Sequence, residues 1–278
     1  MNPAILAIVL LAALLHALWN GLVKASGDRT ATLGLISAGH ILLGVTLAMF
    51  VPVPDSASWP YIAASTFIHF GYYFMLNRSY LLGDLSVVYP IARGIAPLLV
   101  TLGAVAVADE YLPVWVWVGI AAISGGILLL SLQSLRKNPS PAMVLTALTT
   151  GVCIAAYSLV DGLGVRVSQS PLGYIAWLFI MEILVAAFIF HRRGRDMFRL
   201  PRNALLFGIL GGLISATAYG LVIYAKSLAL LGAVSALRET SVLFAALIGV
   251  VLLGERPWRL RLFAAGIVVI GVILVVQA

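Results

Sequence analysis

Apolar residues in this chain come in long blocks, and polar residues gather at the block ends. The blocks run over approximately 3–23, 31–51, 59–82, 85–107 and 112–133. After a basic, proline-containing stretch at 136–141 they resume over 141–163, 171–191, 203–229, 233–253 and 258–277. Each block is about 20 residues long, the length at which an α-helix crosses the hydrocarbon core of a bilayer. The pattern therefore predicts an all-α polytopic membrane protein of ten transmembrane helices. The connections are short, the longest being 136–141 and 191–202, which predicts antiparallel neighbours in one bundle. No basic residue precedes Lys24. A secretory signal carries a basic leader and a short apolar core, so the first block reads as a spanning helix rather than a cleaved signal.

Composition removes several alternatives. Hydrophobic residues make up 62% of the 278 and charged residues 10%, and the mean hydropathy is +1.10. Soluble domains are about half apolar and about a quarter charged. The single cysteine, Cys153, excludes an intramolecular disulfide and a multi-cysteine metal site. The formal net charge is +7, but its basic residues lie between the apolar blocks, as topology signals do, and form no phosphate-binding surface. Of the 17 Lys and Arg, all but Arg93, Arg166, Lys226 and Arg238 fall at the connections after helices one, three, five, seven and nine. Positive-inside bias then predicts that these connections are cytoplasmic and that both termini lie outside.

The two halves resemble each other. The segment Gly71–Leu130 aligns with Gly220–Val275: Gly83 with Gly232, Ser86 with Ser235, Arg93 with Arg238 after a four-residue gap, and Gly126 with Gly271. In the first helices, Asn20-Gly21-Leu22-Val23-Lys24 aligns with Tyr157-Ser158-Leu159-Val160-Asp161. The predicted repeats are residues 1–135 and 141–278. A unit of five helices is odd in number, so its second copy must enter the membrane with opposite polarity.

Helix nine ends in Gly254-Glu255, followed by a last helix with Gly266 and Gly271. The first half ends similarly, with Asp109-Glu110 followed by Gly119, Gly125 and Gly126. These endings resemble the EamA-type repeat, and two such repeats resemble the drug/metabolite transporter superfamily over nearly the whole chain. The resemblance implies a ten-helix transporter, with a homodimer through the fifth and tenth helices compatible with it. Two departures stand out: Asp109 replaces the glycine usual before the first Glu, and Val242 stands where the first repeat has Pro97. The membrane acid that small four-helix multidrug relatives carry in their first helix has no counterpart here.

Ionisable and polar groups inside the membrane usually face a cavity or a partner. Helix one carries His16, Trp19, Asn20 and Lys24 on one stripe, and helix six carries Cys153, Tyr157 and Asp161 on another. Helix three supplies His69, Tyr72, Tyr73 and Asn77; helix four Tyr89, Arg93 and Pro97; helix eight Tyr219, Tyr224 and Lys226; and helix nine Arg238, Glu239 and Ser241. Pro90 and Gly94 predict a kinked or partly broken helix four. The structural alternatives are that Trp19 and the tyrosines sit in an interfacial belt and that Lys24, Arg78 and Lys226 snorkel to headgroups. On the same footing, His40 and Glu182 stand alone, Glu110 and Glu255 brace helix ends, and Gly125 and Gly126 permit close packing.

The candidate solute site comprises Arg93, Arg238, Glu239, Tyr89, His16, Trp19, Asn20, His69, Tyr72, Tyr73, Tyr157, Tyr219 and Tyr224. Two pseudo-symmetric arginines could hold an anionic group by bidentate hydrogen bonds, and Glu239 an amine. A small anionic or zwitterionic metabolite, such as an amino acid or aminophosphonate, suits that set. An Arg93–Glu239 pair of purely structural purpose is the competing reading. No Walker-type phosphate loop is present, and no cofactor or metal motif, so the predicted class is a secondary transporter in the inner membrane. An intramembrane enzyme would need a convergent nucleophile–base set or metal ligands, which the scattered histidines do not supply. A non-transporting scaffold would have no use for a polar interior.

Overall fold

The computed structural model describes residues 1–25, 29–82, 85–135, 140–245 and 258–277. Its helices are α1 (Pro3–Ala25), α2 (Arg29–Ala48), α3 (Trp59–Leu82), α4 (Leu85–Val107), α5 (Val114–Leu135), α6 (Pro141–Val167), α7 (Pro171–Met181), α8 (Ile183–Arg193), α9 (Arg202–Lys226), α10 (Leu231–Arg238) and α11 (Trp258–Val276). No strand occurs among the described residues. Seven helical stretches are long and apolar enough to cross a membrane by length and composition. Large apolar side chains point outward along the bundle, Phe67 at 82% exposure and Phe263 at 65% among them. A face of that kind is stable against lipid and costly against water. The chain is a multi-pass α-helical membrane protein.

Small residues bring the helices together where no hydrophobic driving force does. α2 and α9 touch backbone to backbone: a Cβ on Gly39 would lie 2.7 Å from Gly212 Cα, and one on Gly212 would lie 2.6 Å from the Ile36 oxygen. α5 and α11 meet similarly through Gly119 and Gly271. Gly126 also faces α11, whereas Gly125 has open space around it, so only one of that predicted packing pair packs. α3 and α4 both lie along α6, and α1 and α2 both lie along α9.

The helix interruptions lie away from the prolines of helix four. α4 runs unbroken through Pro90 and Pro97. The blocks at 171–191 and 233–253 are interrupted instead. α7 gives way to α8 at Glu182, and α10 ends at Glu239–Thr240 before helical geometry resumes at Ser241. Both interruptions are tight 3₁₀-type turns, with Glu182 N–H donating to Phe179 O at 3.2 Å and Glu239 N–H to Ala236 O at 3.0 Å. Tight turns inside long helices mark hinges or functional positions. Here each turn carries a buried glutamate whose partner sits on another helix.

Asp109 has φ 49, in the left-handed region. It follows the end of α4, where Glu110 N–H closes back to Ala104 O at 3.3 Å. That geometry explains the glycine usual in the resembled pattern, and Asp is among the few other residues that tolerate it. Gly254, Glu255 and Arg256 lie outside the described residues, as do Gly83, Arg136, Lys137 and the side chains of Lys24, Arg29, Asn77 and Ser86.

Candidate solute-binding cavity

Side chains from α1, α2, α3, α4, α6, α9, α10 and the α7–α8 turn enclose a cavity of about 100 Å³ in the middle of the bundle. Eleven of the predicted residues line it: His16, Trp19, Asn20, His69, Tyr72, Tyr73, Tyr89, Arg93, Tyr157, Tyr219 and Arg238. This is why α3, a helix of 24 residues, falls short as an apolar span while still packing in the bundle: its polar positions face inward. Trp19 and these tyrosines are cavity wall and not an interfacial belt.

The charged centre is a triad. Arg93 Nε lies 2.7 Å from Glu239 Oε2, and Arg238 Nη2 lies 3.5 Å from Glu239 Oε1. All three side chains are at most 5% exposed. Arg93 Nη2 also donates to Ser241 Oγ at 3.3 Å, and its guanidinium stands 5.8 Å from the Tyr89 ring. The Arg93–Glu239 contact expected as a structural alternative is therefore present. It leaves the triad, taken by itself, with two cations for one anion.

Aromatic rings form the wall beside it. His69 stacks on Tyr157 with centroids 4.1 Å apart, and Tyr219 and Tyr72 meet the Tyr157 ring edge-on. Trp19 Nε1 donates to His16 Nδ1 at 3.2 Å, and Asn20 Nδ2 donates to the His16 carbonyl at 2.7 Å, so the Asn20 amide is spent partly on its own helix. Two predicted residues do not line the cavity: Glu239, buried against the two arginines, and Tyr224. Tyr224 packs against the apolar cluster of Ile62, Tyr174 and Ile223, which Tyr219 also touches while reaching the cavity.

Two further predicted isolates prove to be partners. His40 Nδ1 lies 2.8 Å from Glu182 Oε1, and His40 Nε2 hydrogen-bonds Ser215 Oγ at 3.1 Å. His40, Glu182 and Ser215 all line the cavity. The sequence held one usable signal: each half places a histidine or a carboxylate in the middle of its apolar second block, His40 in one and Glu182 in the other.

Beyond the cavity lies a second polar layer. Tyr174 donates to Asp161 Oδ1 at 3.0 Å, and Tyr219 donates to Asp161 Oδ2. Lys226, expected to snorkel, is fully buried and donates to the Ser158 carbonyl at 2.7 Å. Its position inside the bundle, under the α9–α10 turn, leaves no path along the surface to a headgroup. Glu110 braces the fold as predicted: it accepts from Leu231 N–H at 2.8 Å, capping the start of α10, and pairs with Arg166 at 2.7 Å. Arg166 in turn donates to the carbonyls of Lys226 and Ala229. Glu110→Ala leaves the buried Leu231 N–H without an acceptor, which is expected to cost about 1–3 kcal/mol. The midpoint of thermal unfolding in detergent checks this, and an unchanged midpoint would show that the cap is idle.

The described helices thus form a multi-pass bundle around an interior cavity that carries buried charges. Residues 141–277 match the sequence model of the EamA-like transporter family, and the chain is an EamA-type member of the drug/metabolite transporter superfamily. Compared with curated proteins, it has no significant sequence match. A solved crystal structure, described only as that of a protein, has the same fold. It superposes with a TM-score of 0.78 over 100% of this chain and 98% of its own, at 18% identity.

Proposed function

We propose that the protein is a secondary transporter of a small anionic or zwitterionic organic solute across the inner membrane. The observation that carries this reading is the buried Arg93–Glu239–Arg238 triad, whose two arginines face an aromatic-walled cavity. A carboxylate or phosphonate would take the free donors of the two guanidiniums, and the rings would pack the solute's apolar part. Glu239, expected to take an amine, is instead engaged by both guanidiniums at 1% exposure and would stay their counter-ion. Twin arginines contributed by α4 and α10 suit a site between two inverted repeats, 1–135 and 141–278, of a ten-helix transporter. The packing supports that symmetry: α3 against α6 has its counterpart in α9 against α1, and α5 meets α11 as equivalent partners.

With the basic connections in the cytoplasm and the termini outside, the cavity wall extends toward the cytoplasmic ends of the helices, through Leu33, Leu76 and Val88. The Asp161–Tyr219, Lys226–Ser158 and Glu110–Arg166 contacts then close the outer side. Alternating access would exchange which end is closed. The test is solute counterflow in proteoliposomes, screening amino acids and aminophosphonates against the matching amines without an acid group. Arg93→Lys and Arg238→Lys, which keep charge but lose the planar fork, are expected to weaken acid-dependent exchange at least tenfold, about 1.4 kcal/mol. Undiminished exchange in both variants would refute the arginine site.

A further inference from the structure

The His40–Glu182 pair shares the cavity with Arg93 and Arg238 of the triad. Its side chains are 6% and 9% exposed, and Glu182 sits on the tight turn between α7 and α8. Glu182 Oε2 is buried with no hydrogen-bond partner among the described residues, although Ser37 lies close to it. The groups that face the pair are Ser37 from α2, His69 and Tyr73 from α3, Ser215 from α9, and the Phe179 ring, 5.0 Å from His40. His16 and His69 are held by neutral partners instead: Trp19 donates to His16, and Ser65 bonds His69.

The charges of the cavity can be counted. Arg93 and Arg238 contribute two positive charges, and Glu239 and Glu182 two negative ones, so the site is neutral while His40 is neutral. One proton on the His40–Glu182 pair makes it +1, and a monoanion returns it to zero. An uncompensated anion in a buried site is expensive, so the anion and the proton favour each other's presence. An imidazole is the side chain whose charge changes between about pH 5 and pH 8.

We infer that the His40–Glu182 pair is the proton-binding site that couples transport of an anion to uptake of one proton; this rests on the reading of the cavity as an anion site. Linkage makes the effect reciprocal: the proton tightens anion binding by the same factor by which the anion tightens proton binding.

Benzoate, an aromatic monoanion matched to the arginines and rings, serves as the probe in calorimetry on the purified protein in detergent. Its affinity is expected to fall as pH rises, by up to about tenfold per pH unit where the pair releases its proton. Glu182→Gln and His40→Gln are expected to flatten that dependence. Arg93→Lys should bind benzoate more weakly at every pH with the dependence kept, so failure of the anion site and failure of the proton site read differently. A flat profile in the wild type, or an unaltered slope in both pair variants, overturns the proposal. A second measurement needs no solute: protons taken up on acidification from about pH 8 to about pH 6 are counted by titration. The His40→Gln/Glu182→Gln double variant is expected to take up about one proton fewer than the wild type, and equal counts overturn the proposal even if benzoate does not bind at all.

Discussion

Glu239→Gln is expected to destabilise the folded protein by about 3–5 kcal/mol. The substitution keeps the size and shape of the side chain and removes its charge. Glu239 is 1% exposed and stands between two guanidiniums that are themselves at most 5% exposed. Arg93 and Arg238 would then face each other across a neutral amide, and a buried cation without a partner is worse than no cation at all. The hydrogen bond from Arg93 to Ser241 would remain but cannot supply the missing charge. Thermal unfolding in detergent should show a lowered midpoint. Combining Glu239→Gln with Arg93→Gln should restore part of the loss, because the double variant buries one uncompensated charge instead of two. Equal stability of Glu239→Gln and wild type would show that water or lipid headgroups already neutralise the arginines.

The second large effect is steric. Gly212→Leu is expected to abolish folded, monodisperse protein. At the α2–α9 crossing a new Cβ would meet the Ile36 oxygen at 2.6 Å and the Ile36 Cα at 2.9 Å. These are backbone atoms of a helix held on its other side by α7 and α8, so no rotamer change relieves the contact. Ordinary core overpacking costs about 1–3 kcal/mol, and a clash of backbone against backbone exceeds it. Gly125→Leu is the matched control. It too lengthens an apolar side chain in a membrane helix, but nothing lies within 4 Å of its Cβ position, so its elution and unfolding should match the wild type. Normal yield of Gly212→Leu would mean that α2 and α9 stand further apart in the membrane.

How much of the site was legible follows from where each residue gets its meaning. Arg93, Arg238 and the tyrosines of α3, α4 and α6 could be found because an unexpected polar group in an apolar block must face something other than lipid. Tyr224 was misassigned because helix phase alone cannot tell a cavity from the apolar core beside it. Lys226 was misassigned because snorkelling and burial look identical in a sequence; what separates them is whether Ser158 of α6 stands within reach. His40 and Glu182 stand far apart in the chain, and nothing local announces that α2 and the α7–α8 turn meet. The breaks at Glu182 and Glu239 carry no proline or glycine, so propensity had no means of marking them, whereas Pro90 and Pro97 fit into an unbroken α4.

The sequence by itself determined that this is an all-helical protein crossing a membrane, and which polar residues must be hidden from lipid. Both follow from transfer energies, which depend on composition and block length and not on neighbours. Only the tertiary structure decided the partners: Glu239 shared between two arginines, His40 joined to Glu182, and Lys226 closed over Ser158. The energy of a buried charge falls off over a few ångströms, so it is fixed by contacts between helices distant in the chain. The long apolar blocks hold the bundle in the membrane, and the few charges that break them become a site only once the helices have packed.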